Sequence, residues 1–378
     1  MPPRASRRIR IGVVGCGLIA QVMHLPYLVA LSDRFELGAV CDLSLSRARG
    51  CAERYGAPTA HRRWQDLMAQ PLDAVLVAST GDHAPVAIAA AEAGMHVFVE
   101  KSMALCSRDA ERMIAAAHRA GVTLMVGTMK RYDPAYERLS ELLPSVADLR
   151  LIRVTTLESP IPPYVAHLPL IRGGEDLSTE LEALERAETE PIDAAVGDAD
   201  ERTRRVYRTV LLNTLVHELN MLGGLCGAPT EIRSASLAPE CVGVNMRFGD
   251  TECHLSWVLL PGIARYRQEL ACYAPDERLT LELPSPFLAN MPSRLVSEGG
   301  ESGTAHSWRR EEIVSYDEAF RRELVEFADC VVAGREPRTS GADGLRDMRV
   351  AESIARVGAG SVSRGRPTSG TASSNAID

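Results

Sequence analysis

Arg8-Ile9-Arg10-Ile11-Gly12-Val13-Val14-Gly15-Cys16-Gly17-Leu18-Ile19-Ala20 is the stretch on which the reading of this chain turns. Arg8 to Val14 first alternates polar with apolar residues and then becomes continuously apolar, as a strand entering a core does. Gly15-x-Gly17-x-x-Ala20 follows at once, and Ile19 to Ser32 is helix-like. Gly15 allows a tight turn, Gly17 leaves no side chain in the path of a diphosphate, and Ala20 lets the helix lie close to the strand. Leu18 and Ile19 open that helix, whose free N–H groups and positive dipole end suit a diphosphate. The glycine spacing is weak alone; its place between a strand and a helix makes it specific for a bound dinucleotide. A plain glycine turn is the competing reading.

Working outward, strands and helices alternate. Phe35 to Cys41, Ala74 to Ala78, His96 to Val99 and Val122 to Val126 are strand-like, and Ser44 to Tyr55, His83 to Ala93 and Ser107 to Ala120 are helix-like. Gly94 and Gly121 close the last two helices. This alternation predicts an α/β fold with a Rossmann-type doubly wound parallel sheet. Asp42, at the end of the second strand, is placed to accept hydrogen bonds from the adenosine ribose and to repel a 2′-phosphate, which favours NAD over NADP. Arg47, with Ser44 and Ser46 nearby, is the counter-indication, and a helix N-cap is the plainer role for Asp42.

After about Pro134 the pattern changes. Leu149 to Leu157, Ile232 to Leu237, Val242 to Phe248, Glu252 to Leu260, Tyr266 to Tyr273 and Arg278 to Leu283 read as consecutive strands, separated by turns such as Gly249-Asp250 and Pro275-Asp276. They predict a C-terminal α+β domain with an open, mostly antiparallel sheet, one face on helices and the other free to meet a second copy of the chain. Gly173 to Glu201 holds eleven acidic residues and one arginine; a solvated helix or loop is the plain reading, a lid over the substrate the other. Ser315-x-x-Glu318 reads as a capping box ahead of Phe320, Leu324, Phe327 and Val331, with Gly334 closing that helix and Asp343 capping a second one to Val357. The expected division is 1–131 for a dinucleotide-binding domain and 132–367 for a substrate and oligomerisation domain, with 368–378 a disordered tail. Helices over 316–357 are expected either within the second domain or packed back on the first.

Bulk properties exclude several classes. The chain has 378 residues, 46% hydrophobic and 24% charged, with a net charge of −8. That balance disfavours a nucleic-acid partner, which needs a clustered basic face. No window approaches the roughly 18 continuous apolar residues of a membrane span. The basic start, Met1 to Arg10, has no signal-peptide apolar region, and the nine cysteines form no Cys-x-x-Cys pair. A cytoplasmic location with buried free thiols, and no metal site, is expected.

At Glu100-Lys101 a larger pattern emerges. Thr80-x-x-His83, Gly94-Met95-His96-Val97-Phe98-Val99-Glu100-Lys101 and Gly127-Thr128-Met129-Lys130-Arg131-Tyr132-Asp133-Pro134 together resemble the glucose–fructose oxidoreductase/inositol dehydrogenase/MocA family. The resemblance is strong in the first third and weaker at Asn213 to Leu222 and in the C-terminal helices. It implies a homodimer or homotetramer formed through the second-domain sheet, and a polyol or keto-sugar as small-molecule partner. It implies contacts to the cofactor from Ser79, Thr80, His83, Glu100 and Lys101, and contacts to substrate from Lys130, Arg131, Tyr132, Asn213 and His217. Lys101 and His217 match the family's lysine and histidine flanking the reacting oxygen. Asn213 stands where an Asp is usual, and Ser102 replaces the proline of the Glu-Lys-Pro motif.

The chemistry is also arguable from the residues. Interconverting an alcohol and a ketone moves a hydride at carbon and a proton at oxygen. An imidazole titrates near operating pH and suits the proton; an ammonium stabilises an alkoxide. Asn213 and His217, four apart, share a helix face. Asn213 supplies no charge to an imidazolium, but it can orient hydroxyls. Tyr164 and His167 are candidates for the cleft, and Trp64 for packing. The expected activity is an NAD(P)-dependent secondary alcohol–ketone interconversion on a sugar, amino sugar, cyclitol or related metabolite. Redox-assisted elimination or epimerisation with a retained cofactor, and a non-catalytic dinucleotide sensor, are the alternatives.

Overall fold

The structure, a computed structural model, describes residues 8–364; the expected tail at 368–378 lies outside the described residues. Strands β1 (Ile9–Val14), β2 (Phe35–Cys41), β3 (Ala60–His61), β4 (Ala74–Val77), β5 (His96–Glu100) and β6 (Leu124–Gly127) form a parallel sheet in the order β3-β2-β1-β4-β5-β6. Every residue of β4, Ala-Val-Leu-Val, is buried, because helices cover both faces of such a sheet. Those helices are α1 (Leu25–Ala30), entered through a π-helical turn at Ala20–His24, then α2 (Leu45–Tyr55), α3 (Trp64–Met68), α4 (Ala84–Glu92) and α5 (Ser107–Ala120). Ser44 caps α2 by accepting the amide of Arg47 at 3.2 Å. Gly121, at φ 66°, closes α5. The strand order reverses on either side of β1, so a crevice opens at the C-terminal ends of β1 and β4, where open α/β sheets bind ligands.

α6 (Pro134–Leu142) then leads to a second sheet of eight strands. β7 (Leu151–Glu158) is followed by α7 (Pro162–Val165), α8 (Ser178–Ala187), α9 (Thr189–Val196), α10 (Glu201–Val206) and α11 (Val216–Cys226). After these come β8 (Glu231–Ala238), β9 (Cys241–Phe248), β10 (Thr251–Leu259), β11 (Arg267–Tyr273), β12 (Glu277–Leu283), β13 (Arg294–Gly300) and β14 (Ser307–Glu312). The order is β14-β13-β12-β11-β7-β10-β9-β8, antiparallel throughout except that β7 and β10 run parallel. One face is apolar: Val242, Val244, Met246 and Phe248 of β9 all point inward. The other carries ion pairs such as Arg153–Glu269 at 2.7 Å and Arg233–Glu252 at 2.8 Å.

α12 (Ala319–Ala333) and α13 (Gly341–Arg364) end the described chain. Leu324 and Phe327 of α12 bury against Ile9, Ile11, Phe35 and Phe98, so this late helix packs on the first sheet. Two capping expectations are corrected. Ser315 and Glu318 do not form a capping box: α12 starts at Ala319 without a side-chain cap, and Glu318 instead accepts the amide of Asn290. Asp343 is not an N-cap but the third residue of α13. There its carboxylate accepts the Ser340 amide at 3.1 Å, while Ser340 Oγ accepts the Asp343 amide at 3.5 Å. The box is real, but it sits one helix later than the sequence suggested.

Candidate functional site

The glycine loop is fitted to its turn. Gly15 has φ +98°, and a Cβ there would lie 2.5 Å from the main chain of Ala78. At Gly17 a Cβ would meet nothing within 4 Å, so its front is open space where a diphosphate would lie. Ala20 is fully buried. Asp42 stands beside the loop: its carboxylate accepts the amides of Cys16 and Ser44, each at 2.9 Å, and pairs with Arg47 Nη1 at 3.3 Å. The two side chains that argued for opposite cofactors are thus bound to each other.

From the mouth of this crevice a cleft of ≈ 680 Å³ extends between the sheets, with Ile19, Ser79, His83, Lys101, Lys130, Asn213 and His217 on its walls. Lys101 directly follows β5 and is joined to Ser102 by a cis peptide. Its Nζ donates to the main-chain oxygen of Asn213 at 2.5 Å and to the Asn213 side-chain oxygen at 3.2 Å. Asn213 belongs to a π-helical stretch, Tyr207–Leu215, and His217 to the first turn of α11. Wide π turns of this sort often shape functional sites.

Burial in the cleft lowers the basicity of its basic groups. Burial, then the positive charges of Lys130 and Lys101, hold the His217 imidazole well below its ordinary 6.5. Its Nδ1 is buried without a partner. Burial lowers the Lys101 ammonium, partly offset by Glu100, and likewise lowers that of Lys130, partly offset by Glu218. Lys130 Nζ lies 3.3 Å from the Tyr266 hydroxyl and 4.0 Å from Glu218 Oε1. Glu218 also accepts from Thr156 Oγ1 at 2.7 Å and from Gln268 Nε2.

Several candidates fall elsewhere. Lys130, Arg131 and Tyr132 lie in a short 3-10 helix, Met129–Tyr132, and with three residues per turn successive side chains diverge by about 120°. Lys130 turns into the cleft, whereas Arg131 pairs with Asp343 at 2.9 Å and the Tyr132 hydroxyl meets Thr339 Oγ1 at 2.9 Å. The expected substrate contacts of Arg131 and Tyr132 are therefore corrected: both side chains are committed on the far side. Thr80 and His167 are exposed and line no part of the cleft. His83 makes no side-chain cap on α4; its ring bridges the carbonyls of Ser79 at 2.8 Å and Ser102 at 2.9 Å. Tyr164 reaches the cleft, its hydroxyl accepting the Tyr266 amide at 2.7 Å. Glu158, Arg205, Thr209, Trp257, Tyr266 and Phe287 also line the cleft and were missed. Arg205 and Thr209 stand eight and four residues before Asn213 on the same helical run, a spacing the sequence offered; Glu158, Trp257, Tyr266 and Phe287 come from separate strands and loops with no spacing in common.

Glu100, nearly buried at the end of β5, borders the cleft but commits its carboxylate to neighbours in the core. Its Oε1 is 2.6 Å from His24 Nε2, and its Oε2 accepts the Lys101 amide at 3.1 Å. Glu323, from α12, completes this buried group, with both its carboxyl oxygens unpartnered. Burial, then the charge of Glu100, push the Glu323 carboxyl well above its ordinary 4.5, which favours its neutral form.

The chain is similar to known proteins. Residues 9–128 match the family described as "Oxidoreductase family, NAD-binding Rossmann fold". The myo-inositol 2-dehydrogenase of Thermotoga maritima is 26% identical over 346 residues, 89% of this chain and 92% of that protein. An inositol 2-dehydrogenase of Saccharopolyspora erythraea is 38% identical over 137 residues, 36% of this chain and 40% of its own length. Among solved structures, a 3-ketoreductase from Actinomadura kijaniata, in complex with TDP-benzene and NADP, superposes with a TM-score of 0.70 at 21% identity, covering 93% of this chain and 98% of that one. UDP-N-acetylglucosamine 3-dehydrogenase from Acidithiobacillus ferrooxidans gives 0.69 at 20% identity, over 94% and 98%.

Proposed function

Since this chain belongs to the glucose–fructose oxidoreductase/inositol dehydrogenase/MocA family of oxidoreductases, we propose that it interconverts a secondary alcohol and a ketone on a sugar, amino sugar or cyclitol, as an NAD(P)-dependent enzyme. The observation that carries the reading is the convergence of Lys101, Lys130 and His217 on one cleft that opens beside the glycine loop. The loop fits a dinucleotide: a Cβ on Gly17 would meet nothing within 4 Å, and a helix start of this kind offers the free amides a diphosphate needs. A bound nicotinamide would give or take the hydride.

The chain's own residues handle the rest. His217, kept neutral, accepts the hydroxyl proton during oxidation at its imidazole nitrogen. Lys101, anchored on Asn213, holds an ammonium toward the oxygen and offsets its developing negative charge. In the reductive direction the lowered Lys101 is also an effective proton donor. Glu158, Thr209 and the Asn213 amide supply hydrogen-bonding groups, while Trp257 and Phe287 give apolar walls. That combination suits a hydroxylated ring with one apolar face. Asp42 at the end of β2 supports NAD as the favoured cofactor, with NADP the alternative. The open face of the second sheet is proposed as the self-association surface of a homodimer or homotetramer; a monomer mass by light scattering would remove that proposal.

The test is turnover of NADH and NADPH by the full chain against a panel of keto-sugars and cyclitols, read as loss of reduced nicotinamide absorbance. Turnover with at least one, lowered about 10²- to 10³-fold in Lys101→Met, is expected. Dinucleotide binding without turnover on any of them would transfer support to the sensor reading.

A further inference from the structure

The acidic connection from α7 to α9 crosses the C-terminal edge of the parallel sheet and touches its loops in turn. The main chain of Ile171 is held on both sides by the Gln21 amide, at 2.8 and 2.9 Å. Arg54 donates to the carbonyl of Pro169 at 2.5 Å. Farther along, Glu180 pairs with Arg62, and Leu184 and Glu188 lie over Gly81. This strap lies at the adenosine end of the crevice, not over the substrate cleft.

Between these anchors Glu175 is set on the N-terminus of α2. Its carboxylate accepts from Ser44 Oγ, from the Ser46 amide at 2.7 Å and from Ser46 Oγ at 2.7 Å. Gly174 donates its amide to Ser46 Oγ at 3.0 Å. A Cβ on Gly173 would lie 2.2 Å from Ser44 Oγ, so only glycine brings the strap this close. Although Glu175 is exposed, Ser44 first and Ser46 second hold its carboxyl down at about 2. The seat is an anion site built of two hydroxyls, an amide and a helix dipole. It directly follows β2, where the adenosine ribose of a dinucleotide lies.

We propose that Glu175 is a specificity-determining residue that excludes 2′-phosphorylated dinucleotides by occupying, with its own carboxylate, the donors a 2′-phosphate needs. The proposal rests on the reading of this chain as dinucleotide-dependent. It adds to Asp42 a second carboxylate, delivered from a distant part of the chain. Of the cations nearby, Arg47 is already paired with Asp42, and Arg62, whose Nε donates to the Leu43 carbonyl at 3.2 Å, is paired with Glu180.

The test is fluorescence titration of the full chain with NADH and with NADPH, for wild type, Glu175→Gln and Glu175→Ala. In Glu175→Ala the NADPH dissociation constant falls by about tenfold or more, while that for NADH moves by less than about threefold; Glu175→Gln shifts in the same direction by less. An unchanged NADPH constant overturns the proposal. Equal tightening of both cofactors overturns it too, because Glu175 would then close the crevice without discriminating. Should the wild type bind neither dinucleotide, the cofactor reading fails and the proposal falls with it. Binding of NADH with unaltered selectivity in the variants removes the proposal alone. Melting curves of the variants show that the fold is intact.

Discussion

Lys101 Nζ is anchored on the main-chain oxygen of Asn213, at 2.5 Å, more closely than on that residue's side chain, at 3.2 Å. The lysine's position therefore depends mainly on the π-helical backbone and only secondarily on which residue stands at 213. Lys101→Met should lower kcat by about 10²- to 10³-fold, the usual loss on removing a donor to a developing oxyanion. Asn213→Ala should cost about tenfold or less, the worth of one hydrogen bond. Steady-state kinetics compare the two, and a larger loss in Asn213→Ala would contradict this order.

Two groups with lowered pKa values set the pH dependence of oxidation. His217 titrates well below 6.5, so the acid limb of kcat/KM lies below that pH. Lys101 titrates below 10.5, and the alkaline limb is displaced downward accordingly. Between them His217 is neutral and Lys101 charged, the pair that oxidation needs. Asn213→Asp places a carboxylate one turn from the imidazole and should move the acid limb upward, because a neighbouring negative charge favours the imidazolium. A full pH–rate profile of that variant decides it: an unmoved acid limb would show that another group carries the proton.

Gly15 and Gly17 should separate folding from binding. Gly15→Ala forces φ +98° on a residue with a Cβ and drives that carbon to 2.5 Å from main-chain atoms of Ala78. A loss of about 1–3 kcal/mol or more is expected in denaturant melts. Gly17→Ala meets no protein atom within 4 Å, so its melt should match wild type while dinucleotide affinity drops. A Gly17→Ala protein that binds as tightly as wild type would mean that no diphosphate passes there.

Glu323 is expected to make stability fall as pH rises. Unfolded, its carboxyl ionises near the ordinary 4.5; folded, it stays protonated to well above that, held by burial and by Glu100, with His24 the third group facing it. Above 4.5 the folded state thus keeps a proton that the unfolded state has released, and folding loses stability with each pH step until the folded pKa is reached. Glu323→Gln mimics the protonated acid without this penalty. It should melt at a higher temperature than wild type near neutral pH and at the same temperature in acid, below 4.5. Equal melting at both pH values would refute the neutral carboxyl.

Much of this was legible in the chain. Strand, Gly15-x-Gly17 and helix name the first sheet because each local choice agrees with the others. Lys101, Asn213 and His217 were found because their motifs are contiguous. Glu158, Trp257 and Tyr266 were not, since three separate strand ends bring them to the cleft and nothing local marks them. β14 was missed because Ser-Trp-Arg-Arg-Glu-Glu is an exposed edge strand without apolar alternation. Ser315 and Glu318 have the spacing of a cap, yet tertiary contact takes Glu318 to Asn290. Arg131 and Tyr132 follow Lys130 in sequence but not in direction, which only the tight 3-10 turn reveals.

The parallel pairing of β7 with β10, inside a sheet otherwise antiparallel, obliges the chain to travel back the full length of a strand before it can resume. That return route carries the Glu175 strap, the π-helical carbonyl that receives Lys101, and His217. None of it contributes a rung between β7 and β10. From Ile192 to Leu222 the route is itself built into the core, whereas α7 and α8 before it bury no residue. Length and chemistry can change in that outer half, and cofactor selectivity with them, while the frame keeps its register.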